Sequence, residues 1–198
     1  SARNYHAVAV LDGKLYAVGG RSNGAFLSSV ERYDPSLNGW EAVAPMAASR
    51  FYHAMAVLDG KLYAVGGYDD DFLSSVERYD LAANAWEAVA PMPSARINHA
   101  MAALGGKLYA IGGYDGGYLA SVERYDPATN APALDVWEAV APMAMATPHE
   151  THANGYLASV EQYDPALDVW EEVAPMATPR VNHAVADGSE SSRRGGAG

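Results

Sequence analysis

Cysteine is absent from this chain of 198 residues. That excludes disulfide scaffolds, thiolate zinc sites, CxxC redox centres and cysteine nucleophiles. Positive charge is scarce: 13 Lys+Arg stand against 24 Asp+Glu, a formal charge of −11. Such a balance argues against binding a phosphate backbone, which needs clustered Lys and Arg. Apolar runs are short, and none approaches the ~20 residues of a membrane-spanning helix. The sequence starts without Met, in the middle of a pattern, and no signal peptide is visible in it; a cleaved or omitted one stays open. Glycine (19) and tyrosine (13) are plentiful, and their placement is regular.

The regularity is an internal repeat. Leu-Asp-Gly-Lys-Leu-Tyr-Ala-Val-Gly-Gly at 11–20 recurs at 58–67, and a close copy runs from Leu104 to Gly113. Ser-Val-Glu-Arg-Tyr-Asp begins at Ser29, Ser75 and Ser121, and a fourth copy begins at Ser159 with Gln162 in place of Arg. Trp40, Trp86, Trp137 and Trp170 each open a Trp-Glu-x-Val-Ala-Pro-Met segment. Lys14, Lys61 and Lys107 set a period of 46 to 47 residues.

One repeat reads as four short strands. In the second copy they are His53–Leu58, Lys61–Val65, Ser75–Tyr79 and Trp86–Ala90. Asp59-Gly60 is a two-residue hairpin signal between the first pair. Pro91 ends the last, where a missing N–H costs no ladder bond. A four-stranded sheet cannot cover both of its faces alone, and radial stacking of such sheets gives a β-propeller. The expectation is an all-β protein of antiparallel four-stranded blades. Tyr33/Trp40, Tyr79/Trp86, Tyr125/Trp137 and Tyr163/Trp170 are the large side chains expected to pack between blades.

The array breaks towards the C-terminus. Asp126 and Trp137 are 11 residues apart, against 6 for the equivalent pair elsewhere. Pro-Ala-Leu-Asp-Val-Trp-Glu at 132–138 reappears at 165–171, which reads as a recombination scar. After His149 the sequence jumps to a segment, 155–161, identical to 117–123. Fifteen residues are missing there by comparison with the third copy, and they hold the Gly-Gly strand. The count is about three full blades, approximately 3–46, 50–92 and 96–143. An incomplete fourth follows at 149–176, then the start of a further strand at 180–187. Residues 188–198 read as a disordered tail. Closed propellers have 4–8 blades, so an open or poorly closed ring is expected. A closing C-terminal strand, a fragment of a longer array and association of chains through the unclosed edges all remain open.

Several motifs have a structural and a chemical reading. His6, His53, His99, His152 and His183 share one repeat phase and read as framework. His149-Glu150-Thr151-His152 has i, i+3 spacing in a Pro-flanked segment, where a helical zinc motif needs i, i+4. Gly19-Gly20, Gly66-Gly67 and Gly112-Gly113 lack the helix that follows a phosphate loop, and read as close-approach glycines. Glu31-Arg32, Glu77-Arg78 and Glu123-Arg124 are strand neighbours facing opposite ways, and so serve inter-blade or edge contacts. Asp69–Asp71 reads as a solvated turn, since three consecutive acids do not make a calcium cage. No metal and no cofactor is expected.

Gly-Gly after an apolar strand, Glu-Arg-Tyr-Asp-Pro, Trp six residues after Asp, and Ala-Pro-Met before Arg together resemble kelch repeats. Roughly residues 3–187 carry the likeness. It is nearest to the kelch domains of BTB-kelch ubiquitin-ligase adaptors, through Val-Glu-Arg-Tyr-Asp-Pro and Val-Ala-Pro-Met. The resemblance implies a cytoplasmic, non-enzymatic module that binds a protein or peptide through its loops. Two loop classes vary between copies and would share one face. One follows Gly-Gly (21–26, 68–72, 114–118). The other follows the repeat's Arg (4–5, 51–52, 97–98, 181–182). By that resemblance Arg21, Asn23, Tyr52, Tyr68 and Tyr114 are the expected partner-binding residues. Tyr and Arg are also the types that carry interface energy. Two other readings compete. Some kelch propellers resemble a copper oxidase with a Tyr–Cys cross-link, which a chain without Cys cannot form, and others use an iron site of acidic residues and His whose motif is missing here. The remaining reading is a non-functional remnant of an unstable repeat array.

Overall fold

The computed structural model describes residues 1–127, 136–143 and 160–173. All regular structure in them is β. The first repeat forms β1 (Ala7–Leu11), β2 (Lys14–Val18), β3 (Arg21–Ser22), β4 (Ala25–Phe26), β5 (Val30–Asp34) and β6 (Gly39–Val43). Strands β1, β2, β5 and β6 pair in that order as an antiparallel sheet, and β3–β4 is a small hairpin on the loop between β2 and β5. The second sheet comprises β7 (Ala54–Leu58), β8 (Lys61–Val65), β9 (Val76–Asp80) and β10 (Ala85–Val89). The third comprises β11 (Ala100–Leu104), β12 (Lys107–Ile111), β13 (Val122–Tyr125) and β14 (Trp137–Val140). A fourth unit is the two-stranded pair β15 (Val160–Asp164) and β16 (Val169–Val173). The unusual junction sequences at 132–135 and 144–159, and the segment 174–198, lie outside the described residues.

Register follows the repeat. Tyr33 faces Trp40, Tyr79 faces Trp86, Tyr125 faces Trp137 and Tyr163 faces Trp170 across neighbouring strands. Period-2 alternation then puts Tyr and Trp on one face, with Glu and Arg set by their own positions. The hairpin turns suit their residues. Asp59 (φ 50°) and Gly60 (φ 70°) are both left-handed, which a two-residue turn matched to strand twist requires.

The sheets stack face to face, and three apolar cores lie between them. The first joins Leu11, Tyr16, Val18, Val30 and Met46 to Leu62, Ala64 and Tyr79. The second joins Ala56, Leu58, Tyr63, Val65, Val76 and Met92 to Leu108, Ala110, Tyr125 and Trp137. The third joins Tyr109, Ile111 and Val122 to Tyr163 and Trp170 of the strand pair. Strands β1, β7 and β11 lie side by side on the inner edge. Among the described residues the first sheet and the β15–β16 pair do not touch, so the arc is open. No helix in them is long and apolar enough to cross a membrane.

Three of the four tryptophans bridge blades. Trp86, Trp137 and Trp170 donate Nε1–H to the carbonyls of Ala44, Ala90 and Ala141 in the preceding blade, each at 3.0 Å. Trp40 departs from the expected packing between blades. It is 53% exposed, because no described residue covers the outer face of the first sheet. Its ring still pairs with Tyr33 at 5.3 Å within its own sheet.

Candidate protein-binding face

The two ends of the sheets differ. One end carries the tight turns (12–13, 59–60, 105–106) and the Asp-led turns after β5 and β9. Lys14, Lys61 and Lys107 pair there with Asp34, Asp80 and Asp126. The other end carries the Gly-Gly doublets and the loops that vary between copies.

That loop end is anchored by a buried arginine in each linker. Arg50 donates to the Gly66 carbonyl (2.8 Å), the Ser75 carbonyl (3.1 Å) and Glu77 Oε1 (2.7 Å). Arg96 repeats the pattern on Gly112 (2.7 Å) and Glu123 (2.6 Å), and Arg3 repeats it on Gly19 (2.9 Å) and Glu31 (2.9 Å). Glu77 also accepts from the backbone N–H groups of Ala47 (2.7 Å) and Ala48 (3.1 Å), which ties the linker from the first blade down on the second. The Glu and Arg of each Glu-Arg step part company. Glu31, Glu77 and Glu123 hold the linker arginines, while Arg32, Arg78 and Arg124 pair across strands with Glu41, Glu87 and Glu138.

The glycine doublet makes room for this. Gly66 (φ 61°) and Gly67 (φ 104°) are left-handed, and a Cβ on Gly66 would sit 2.5 Å from the Arg96 carbonyl oxygen. Gly67 N–H donates to that same carbonyl at 2.9 Å. A side chain here would push the linker off the blade. Gly19 and Gly20 have the same geometry against Arg50, and Gly112 and Gly113 are left-handed as well.

The residue after Gly-Gly then pairs with the residue after the anchoring Arg. Asn4 bridges Arg21, Phe51 bridges Tyr68, and Ile97 bridges Tyr114, each through backbone N–H donors and carbonyls at 2.8–3.2 Å. Tyr5, Tyr52 and Asn98 follow with φ of 53°, 55° and 51°, and Tyr52 N–H and Asn98 N–H donate back to the Tyr5 and Tyr52 carbonyls. The backbone is therefore continuous from blade to blade at this end.

Its side chains form a track of rings. Tyr5 contacts Tyr52 (4.4 Å between centroids), and Tyr52 contacts Phe51 (4.8 Å). Phe51 contacts Phe26 (4.9 Å) and Tyr68 (5.5 Å). Tyr68 reaches Phe72 (5.5 Å), Phe72 reaches Tyr114 (6.0 Å), and Tyr114 reaches Tyr118 (5.6 Å). Hydrogen bonding to Tyr5 raises the pKa of the Tyr52 hydroxyl. Arg21 lies over the Phe26 ring at 5.7 Å. Tyr118 is 86% exposed, Tyr5 is half-exposed, and Phe51 is buried as the keystone.

Arg21, Tyr52, Tyr68 and Tyr114 all lie on this track or against it. Asn23 is exposed at the β3–β4 turn (φ 47°). Sequence reasoning placed Tyr5, Phe26, Phe51, Phe72 and Tyr118 in the variable loops but did not single them out as contact residues, and they complete the track. The available signal was an aromatic residue in each variable loop. It also left the repeat's Arg without a role, although Arg3, Arg50 and Arg96 recur at one phase.

His53 and His99, just before β7 and β11, are buried. His53 and His99 have pKa values held down at about 3, first by desolvation and then by the nearby Arg50 and Arg96 charges respectively. They are neutral at physiological pH. Among the described residues no group of three or more His, Asp or Glu side chains is arranged to hold a metal. The His149–His152 segment lies outside them.

Comparison with known proteins agrees along most of the chain. Residues 1–113 match the family model described as the KLHDC2/KLHL20/DRC7 Kelch-repeats domain, and residues 95–144 match the Kelch motif. Human (Homo sapiens) Kelch-like protein 33 is 48% identical over 50 residues, which is 25% of this chain and 9% of that protein. An F-box/kelch-repeat protein of Arabidopsis thaliana is 43% identical over 49 residues, 25% of this chain and 12% of that protein. Beta-scruin of Limulus polyphemus is 42% identical over 45 residues, 22% of this chain and 5% of that protein. Each match thus covers about one repeat and a small part of the relative's length.

Proposed function

The chain belongs to the kelch-repeat family, and on that premise we propose that its loop end holds a segment of a protein partner as the substrate-recognition part of a ubiquitin-ligase adaptor. The module binds and does no chemistry. A cytoplasmic location goes with this role. The observation that carries the reading is the track of eight aromatic rings, Tyr5, Phe26, Phe51, Tyr52, Tyr68, Phe72, Tyr114 and Tyr118, which crosses three blades at one end of the sheets. Flat rings on a fixed backbone, all but Phe51 at least partly exposed, offer contact area at little entropic cost, and Tyr and Arg dominate interface hot spots. Arg21, Tyr52, Tyr68 and Tyr114 are the contact residues proposed, with Asn23 at the margin.

Selection of a random peptide library on the immobilised full chain tests this. Peptides recovered on the parent chain should lose about tenfold or more in affinity on the Tyr68→Ala/Tyr114→Ala chain. Equal binding by both chains would remove the loop end from the function.

A further inference from the structure

We infer that the loop end takes a cationic peptide, one presenting arginine or lysine side chains; this names the partner class for the binding reading above and rests on it. Cations are placed differently at the two ends of the sheets, although Asp12 and Asp59 at the turn end also have no ion-pair partner among the described residues. At the turn end Asp34, Asp80 and Asp126 each have a lysine partner. At the loop end Asp70, Asp71 and Asp115 are exposed, and none has an ion-pair partner among the described residues. Asp71 Oδ1 accepts from Phe72 N–H (2.7 Å) and Asp115 Oδ1 accepts from Gly117 N–H (3.3 Å), so local bonds fix these two carboxylates by one oxygen each.

Those three carboxylates flank the exposed half of the ring track. Asp70 and Asp71 lie between Tyr68 and Phe72, and Asp115 lies between Tyr114 and Tyr118. Ring faces attract a guanidinium or ammonium group within about 6 Å of the centroid. The track already does this once, since Arg21 sits 5.7 Å above Phe26. Arg21 is the only Lys or Arg in the three loops 21–26, 68–72 and 114–118, and it lies at the first blade. The second and third loops therefore pair aromatic faces with uncompensated carboxylates and offer no cation of their own. A cationic side chain on a bound peptide satisfies both groups at once. An acidic peptide would meet only Arg21 and be repelled along the rest.

The test uses the full chain and three labelled octapeptides, alternating Gly-Arg, Gly-Gln and Gly-Glu, followed by fluorescence anisotropy. The Gly-Arg peptide should bind tightest, by about tenfold or more over the other two, and should weaken as salt rises. In an Asp70→Asn/Asp71→Asn/Asp115→Asn chain that advantage should fall by about tenfold. Asn retains the acceptors that fix each loop, and it tolerates the left-handed backbone of Asp70 (φ 60°). Asp12→Asn/Asp59→Asn is the control at the turn end, two charges removed against three and compared per charge, where both residues are exposed with φ of 50°. It should change Gly-Arg binding less than about twofold. Equal or tighter binding of the Gly-Glu peptide would overturn the inference. So would an equal loss per charge in the turn-end control, which would mean attraction to overall charge alone. Failure here stays distinct from failure of the binding reading. If library-selected peptides lose affinity with Tyr68→Ala/Tyr114→Ala but not with the three Asn substitutions, the loop end binds and the cationic class is wrong.

Discussion

Trp40 and Trp137 occupy the same place in their repeats, each opposite a tyrosine, yet one is 53% exposed and the other 6%. The contrast extends over the whole sheet face. Val8, Val10 and Leu15 of the first blade are 54%, 58% and 37% exposed, while Leu62 and Leu108, the equivalents of Leu15, are fully buried. The repeat thus encodes a blade with two apolar faces whether or not a neighbour is present. Burial comes from the adjacent blade, not from the blade's own sequence. Stability should therefore depend on position in the arc, even where the residues are identical.

The largest effects should follow the buried ion pairs. Glu123→Gln leaves Arg96, whose side chain is fully buried, without its counter-charge, and should cost about 3–5 kcal/mol in urea unfolding. Glu31→Gln at the first blade should cost clearly less, because the Glu31 side chain is 22% exposed. Equal costs would break the comparison. The tryptophans come next. Trp137→Ala should lose about 3–5 kcal/mol and Trp40→Ala about 1 kcal/mol or less, read from the same denaturation curves.

Acid should act on the interior in the same way. His53 and His99 have folded pKa values of about 3 against an ordinary 6.5. Between those values the unfolded chain binds more protons, so stability is complete above pH 6.5 and is lost as pH falls. Each histidine should cost roughly 2 kcal/mol by pH 5, seen as a falling urea midpoint. A midpoint flat from pH 7 to 5 would contradict their neutral burial. The smallest effect on stability belongs to the loop end. Tyr118→Ala, in an 86% exposed position, should move the midpoint by no more than about 0.5 kcal/mol while weakening peptide binding.

Much of the blade was legible in the sequence because its signals are local. Alternation, Asp59-Gly60 and the Gly-Gly doublet place β7 and β8 to within a residue at either end. What escaped was contact between repeats. Nothing adjacent to Arg50 indicates that its partners are Gly66, Ser75 and Glu77, up to 27 residues on. Trp40 reads like Trp86, since exposure depends on what stacks against the sheet. The loop face was half legible. Tyr52, Tyr68 and Tyr114 stand out as variable positions in a fixed frame. Phe51 stands out in the same way, but its packing role does not, because that role comes from meeting Phe26 of one loop and Tyr68 of another.

Hydrogen–deuterium exchange of the full chain, with and without the tightest library peptide, tests the division between loop end and framework most directly. Protection should rise at 4–6, 20–27, 51–52, 67–73, 97–98 and 113–119, and stay unchanged at the turns 12–13, 59–60 and 105–106. Protection centred on the turn end, or on Val8, Val10, Leu15 and Trp40 of the open sheet face, would contradict the account.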